Sequence, residues 1–172
     1  FSAAMLTMWL KVGKADPSMS LNGALAGLVG ITAGCFEVSP AGALAIGFIC
    51  GVLVVCSVIF IDQKLKIDDP VGAVSVHGVC GFAGTVFVGL FASPGYGDNA
   101  GLLYGGDAHL LLIQLLGASC VGLWAFGCGW LVFKLAGKMM TLRVSPEAEL
   151  KGLDMTEHGT DVYSGFQIFS NE

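Results

Sequence analysis

Charged side chains are scarce in this sequence and unevenly spread. They make up 12% of the 172 residues, whereas an ordinary soluble domain carries roughly 25%. The charges cluster between Lys11 and Asp16, between Asp62 and Asp69, and after Lys134, which leaves long apolar stretches between them. Such stretches do not suit a soluble surface, and they are typical of helices that cross a lipid bilayer.

Sequence patterns of other functional classes are also missing. The net charge of -5 and the sparse basic residues argue against binding to nucleic acid. The six cysteines form no CxxC pair and no Cys/His spacing that suits zinc, so we expect neither a metal site nor a cofactor. No nucleophile-base set or phosphate-binding loop occurs, which makes an enzyme the least expected class.

Apolar runs predict four complete membrane spans and one partial span. Phe1 to Leu10 is about half the length that crosses a bilayer, so we expect the chain to begin inside a helix and to be the C-terminal part of a longer protein. The complete spans, each near or above roughly 20 residues, are predicted at about 21–38, 41–61, 70–91 and 108–140. The predicted fold is an all-α, polytopic bundle of membrane helices over 1–140, with a tail at 141–172.

The basic residues predict how the helices are oriented. They lie before the first complete span, between the second and third spans, and at and after the end of the fourth, while the other two loops have none. The positive-inside rule then places these loops and the C-terminal tail in the cytoplasm, in a multi-pass protein of the plasma (inner) membrane. The residues are Lys11, Lys14, Lys64, Lys66, Lys134, Lys138, Arg143 and Lys151.

His77 is the candidate functional residue because it lies well inside the third predicted span. An α-helical projection places it on one face with Pro70, Ala73, Gly81 and Gly84. One interpretation is an imidazole that only hydrogen-bonds a neighbouring helix. Ionisable groups inside membrane spans usually mark pathways or relays, however, and this favours a functional role.

Asp69 and Pro70 predict the start of the same span. An aspartate at the N-cap followed by proline at the first helical position would face its carboxylate towards unpaired backbone N–H groups. We therefore assign Asp69 a structural role rather than direct contact with a ligand. Asp68 is interpreted as a solvated charge at the interface.

Glycines are predicted to let the helices approach one another closely, since membrane helices associate through small residues. A structural role explains them fully. They are Gly78, Gly81 and Gly84 in the third span, and the GxxxG pairs Gly23/Gly27 and Gly47/Gly51.

The tail predicts one short helix. Ser145, Pro146 and Glu147 supply a serine cap, a proline at the first position and an acidic first turn, and Gly152 is placed to end the helix. His158 is interpreted as an exposed residue.

Several ordered motifs make the chain similar to the C-terminal part of the Amt/Mep/Rh family of ammonium transporters. The resemblance implies the second half of an eleven-helix inverted-repeat transporter, assembled as a homotrimer with one pore in each subunit. The motifs are the run from Leu21 to Val29, Ile67-Asp68-Asp69-Pro70 leading into Val76-His77-Gly78-Val79-Cys80-Gly81, and Gly152-Leu153-Asp154 followed by Glu157-His158-Gly159.

The resemblance also implies residue roles. His77 would be one of two paired pore histidines whose partner comes from the first half of the protein, and Asp69 would be the counterpart of an acidic residue near the ammonium entry site. The segment from Gly152 to Gly159, with Asp154 and His158, would contact the neighbouring subunit and take part in control by a PII-type regulator.

The expected function is transport of ammonium or ammonia through a hydrophobic pore, with membrane lipid around it. An ammonium sensor that uses the same fold to drive a cytoplasmic signalling module is the alternative, and a purely structural bundle is the third. The family's aromatic entry residues, phenylalanine gate and first histidine lie in segments outside this sequence. The aromatic residues of this chain are interpreted as core or lipid-facing rather than as replacements: Phe82, Phe87, Trp124 and Trp130.

Overall fold

The structure, a computed structural model, describes residues 1–159, so the last part of the predicted tail (160–172) lies outside the described residues. The chain divides into two units, residues 1–126 and residues 127–172. The described part is helical, with two isolated β-bridges and no strand. This confirms the predicted all-α class.

Six α-helices and several tighter or wider turns make up the described chain. The π-helical segment Phe60–Leu65 extends the third helix, the π-helical segment Val74–Val79 precedes the fourth, and a third π-helical segment, Asp154–His158, follows the sixth. A 3-10 turn, Leu102–Tyr104, precedes the fifth. The helices are α1 (Ser2–Val12), α2 (Pro17–Thr32), α3 (Pro40–Ile59), α4 (Cys80–Phe91), α5 (Ala108–Met139) and α6 (Pro146–Lys151).

A capping side chain followed by proline starts three of these helices. The side-chain oxygen satisfies a backbone N–H that has no partner within the helix, and proline at the first position sacrifices no hydrogen bond. Asp16 accepts from the Met19 N–H (2.8 Å), Ser39 from the Gly42 N–H (3.2 Å), and Ser145 from the Ala148 N–H (3.2 Å). The prediction for α6 is confirmed, including its end before Gly152.

Helix α2 differs from the predicted first complete span at both ends. The apolar run predicts 21–38, whereas the helix is Pro17–Thr32. Its start is set by the cap and not by the apolar run. It ends early because the chain turns away to meet the end of α4, where the Ser93 N–H donates to the Glu37 carbonyl (2.7 Å).

Helical structure in the third predicted span, 70–91, starts later than the Asp-Pro pattern indicates. Pro70 is not the first helical residue, because the chain forms a turn in which the Gly72 N–H donates to the Asp69 carbonyl (2.9 Å). Gly72 has a φ of 70°, which a side chain would rarely allow. The first helical turn begins only at Val74.

Within residues 1–159, three helices are long and apolar enough to cross a membrane: Pro40–Leu65 with 26 residues, Val74–Phe91 with 18 and Ala108–Met139 with 32. They correspond to the predicted spans at 41–61, 70–91 and 108–140. Helix α2 has 16 residues, or about 24 Å at 1.5 Å per residue, against a hydrocarbon core of about 30 Å.

The core of the first unit consists of small and medium-sized residues from α1, α2, the loop before α3, α3, the π-helical segment Val74–Val79 and the start of α4. Glycines bring the backbones together, as membrane helices require. A Cβ added at Gly27 would lie 3.6 Å from the Cα of Gly47, and one at Gly51 would lie 2.9 Å from the Cβ of Ala3. The buried cluster is Ala4, Ala26, Val38, Ile46, Cys50, Val54, Val55, Val76 and Cys80.

The second unit carries two exposed charge contacts. The ammonium of Lys134 lies 4.4 Å from the centre of the Trp130 ring, a cation-π contact. The guanidinium of Arg143 lies 3.2 Å from a carboxylate oxygen of Glu149. Because both groups of the ion pair are exposed, it adds little to stability.

We predict that Gly84→Ala destabilises the fold. A Cβ at this position would lie 2.7 Å from the Cα and carbonyl carbon of Gly30, a contact with backbone that no side-chain rotation relieves. Overpacking of this kind costs about 1–3 kcal/mol. Thermal unfolding in detergent measures the loss. Gly47→Ala is the control because an added Cβ there meets nothing within 4 Å, and equal unfolding midpoints for the two variants would contradict the prediction.

Candidate functional site

His77 opens into a cleft of about 670 Å³ in the first unit, which we call the His77 cleft. In the described chain its side chain is exposed. The walls are mostly small or apolar, so the imidazole faces an environment with few competing polar groups. The cleft is lined by Val29, Thr32 and Ala33 of α2, by His77, Gly78, Gly81, Phe82 and Thr85, and by Gln114, Gly117, Ala118, Val121, Gly122 and Ala125 of α5.

The π-helical segment Val74–Val79 decides which residues share a face with His77. In this segment the Cys80 N–H donates to the carbonyl of Ser75, five residues back, so the turn contains one residue more than an α-turn. Residues beyond it are therefore shifted by about one position relative to an α-helical projection. Phe82 and Thr85 consequently line the cleft with His77.

One of the two glycines projected onto the face of His77 has another neighbour. Gly81 lines the His77 cleft as projected, whereas Gly84 points at the backbone of Gly30 on α2. The prediction that Gly84 shares the face of His77 is therefore wrong, because the projection assumed a regular α-helix. Gly84 lies at a close helix contact, while a Cβ at Gly78 would meet only a side-chain carbon of Val74 at 3.8 Å.

Asp69 organises the start of the segment that carries His77. One carboxylate oxygen accepts from the Val74 N–H (3.1 Å), and the other accepts from the Ser75 N–H (3.2 Å) and from the Ser75 hydroxyl (3.3 Å). The carboxylate therefore meets the unpaired N–H groups of the first turn across the intervening loop, rather than from the N-cap position next to Pro70.

Two buried serines join this segment to α3. The Ser57 hydroxyl donates to the Ser75 oxygen (3.0 Å). Ser75 has 0% exposed surface and Ser57 has 8%, so water does not compete for these groups. The sequence interpretation missed both, although a serine inside an apolar run is a usable signal, because polar side chains form hydrogen bonds between membrane helices.

Asn22 holds the turn before the π-helical segment from the side of α2. Its side-chain amide donates to the carbonyl of Val71 (3.3 Å). A Cβ at Gly72 would lie 2.8 Å from the same amide nitrogen, and the φ of 70° at this position favours glycine. The turn is thus held between α2 and the carboxylate of Asp69.

Phe82 and Gln114 are cleft residues that the sequence interpretation did not place there. Phe82, interpreted as core or lipid-facing, is 41% exposed and lines the cleft beside His77. Gln114 brings an amide to the cleft from α5. An amide inside a predicted membrane span was the signal available in the sequence.

Glu37 connects the loops that follow α2 and α4. These helix ends lie opposite the ends near Asp69. One carboxylate oxygen accepts from the Asn99 amide (3.3 Å), and the other is buried without a hydrogen-bond partner in the described part of the chain. This acid was also missed, because its contact with Asn99 spans 62 residues of sequence.

The predicted tail residues lie in the second unit. Gly152 follows α6 with a φ of 93°, and Gly159 ends the last π-helical segment with a φ of 65°. Asp154 is half-buried and His158 is exposed. Their part in regulatory contacts stays a prediction.

Comparison with known proteins identifies the class. The model of the Ammonium Transporter Family matches residues 2–163. Ammonium transporter Amt2 of Archaeoglobus fulgidus is 41% identical over 98% of this chain, and ammonium transporter Amt1 of Haloferax mediterranei is 38% identical over 95%. A solved structure named Sensor Amt Protein is 39% identical, covers 91% of this chain and has a TM-score of 0.80.

The helical bundle and its apolar spans thus define an integral membrane protein. The chain belongs to the Ammonium Transporter Family. It spans 37% of the length of the Archaeoglobus relative, 30% of the Haloferax relative and 38% of the solved structure.

We predict that Asp69→Ala loosens the start of the His77 segment. The change leaves two backbone N–H groups and a hydroxyl without their acceptor, and the loss of a capping side chain costs about 1–2 kcal/mol. Amide hydrogen exchange at Val74 and Ser75 should become about tenfold faster or more, since 1.4 kcal/mol is a factor of ten. Asp68→Ala is the control, because Asp68 is exposed; equal exchange in both variants would contradict the assignment.

Proposed function

We propose that the complete protein moves ammonium or ammonia across a membrane through a pore of which the His77 cleft forms one wall. The observation that carries the proposal is a single imidazole that opens into a cleft whose walls are mostly small or apolar. The family match and the names of the relatives, which are ammonium transporters, support the same substrate. The remaining walls would come from other segments of the complete protein.

The chemistry of the imidazole suits this substrate. Ammonium is close to potassium in size, but it has hydrogen-bond donors and a removable proton, which potassium lacks. A neutral imidazole has one nitrogen that accepts a hydrogen bond and one that donates. In a pore with apolar walls such a group can favour ammonium or ammonia over an alkali ion. We infer that a second histidine from the first half of the protein pairs with His77.

The orientation and assembly are parts of the same proposal. Lys64 and Lys66 follow the third helix, and the positive-inside rule would put this end of the helix, together with the C-terminal tail, on the cytoplasmic side of the plasma membrane. Three copies would form a homotrimer. The tail from Gly152 to Gly159 would then contact a neighbouring subunit or a PII-type regulator.

An ammonium sensor is the second candidate, and one observation supports it. The solved structure that resembles this chain with a TM-score of 0.80 is named a sensor. The two functions differ in what ammonium does to the complete protein in a bilayer. A transporter gives an ammonium-dependent current or flux, whereas ammonium binding with neither current nor flux at any potential would support the sensor and defeat the transport proposal.

We predict that His77→Ala in the complete protein lowers ammonium flux and selectivity over potassium by about tenfold or more. Removal of one hydrogen-bonding group in a poorly solvated site costs about 1–3 kcal/mol, and 1.4 kcal/mol is a factor of ten. Flux into proteoliposomes with ammonium or potassium measures both quantities. His109→Ala is the matched control, because His109 is exposed at the start of α5. Unchanged flux and selectivity in His77→Ala would remove His77 from the mechanism.

A further inference from the structure

We propose that Ser57 is a positioning residue for His77, acting through Ser75 and the carboxylate of Asp69. The inference rests on the proposed function of His77. Ser57 lies on α3 and does not line the His77 cleft. Its influence would pass through a chain of hydrogen bonds that ends in the segment carrying the histidine.

The hydrogen bonds of the chain run in one direction. Each serine hydroxyl has one proton to donate. The Ser57 hydroxyl donates to the Ser75 oxygen (3.0 Å), and the Ser75 hydroxyl donates to a carboxylate oxygen of Asp69 (3.3 Å). The carboxylate can only accept when ionised, so the negative charge at the end sets the direction of both donors.

Burial makes the link between Ser57 and Ser75 specific. Ser75 is fully buried and Ser57 nearly so, with 0% and 8% exposed surface. A hydroxyl in such a place loses free energy if it lacks a protein partner, because water cannot replace the partner. The pair therefore connects α3 to the start of the π-helical segment at one defined point.

Ser75 transmits this connection to His77. Its backbone carbonyl accepts the hydrogen bond from the Cys80 N–H that closes the π-turn around His77. The Ser75 side chain thus fixes the position of the segment, and the Ser75 carbonyl closes the wide turn within it. Since that turn decides which side chains face the cleft, a shift of Ser75 would rotate the imidazole relative to the cleft walls.

The experiment uses the complete protein with 15N-labelled histidine and reads the imidazole signals by NMR. The His77 signal is assigned by its loss in His77→Ala. In Ser57→Ala we expect this signal to shift or to split into several, and ammonium flux to fall by about threefold to tenfold, the effect of losing one hydrogen bond. Ser57→Thr retains a hydroxyl and should restore both readouts.

Ser20→Ala is the matched control. Ser20 is a buried serine, 2% exposed, whose hydroxyl donates only to the backbone carbonyl of Asp16 within α2. Its loss should leave the His77 signal unchanged. A His77 signal in Ser57→Ala that matches the wild type would overturn the proposal.

Two further arms keep the result decisive. If Ser57→Ala does not fold, Ser57→Cys replaces it, because a thiol has a similar volume but is a weak donor. An unchanged His77 signal in that variant would likewise overturn the proposal. The NMR readout needs no transport, so normal flux in His77→Ala would end the proposed function, while a shifted signal in Ser57→Ala would still support the positioning role.

Discussion

Close approach of helix backbones is the constraint on which the rest of this structure depends. Lipid is as apolar as the side chains, so membrane helices gain little by burying apolar surface against one another and associate through tight packing instead. Here Gly84 lies against the backbone of Gly30, where α4 meets α2 with no room for a side chain. This contact sets the position of α4, and with it two walls of the His77 cleft.

A second constraint acts at the start of the same span. Asp69 cannot cap the helix from the adjacent position, because Gly72 and its neighbours form a turn first. The carboxylate instead reaches the first two N–H groups of the π-helical segment and a buried serine. Asp69 therefore connects the turn around Gly72 to the π-helical segment. Through Ser75 and Ser57 it is also linked to the neighbouring helix α3. Ser57 and Ser75 are the buried members of this set, and hydrogen bonds connected in this way hold such groups more firmly than isolated bonds would.

Much of the fold could be predicted because it follows from local patterns. The apolar runs predicted the spans at 41–61 and 108–140 close to their observed bounds, and the serine-proline pattern predicted α6 together with the glycine that follows it. The Asp16-Pro17 pair carries the same kind of signal and starts α2, yet the apolar run alone placed this helix too late. The end of α2 could not be predicted, because it depends on a hydrogen bond between Glu37 and Ser93, which are far apart in sequence.

The amino-acid sequence by itself determined the class of the protein, its apolar runs, the cap of α6 and the place of His77 inside an apolar run. Each of these depends on residues within a few positions of one another, where hydrogen bonds and hydrophobic lengths act locally. The tertiary structure alone decided that the turn around His77 is a π-turn, that Gly84 packs on α2 while Phe82 and Thr85 face the cleft, and that Ser57 is linked to Asp69. Those outcomes depend on contacts between separate helices, whose energies appear only once the backbones have come together.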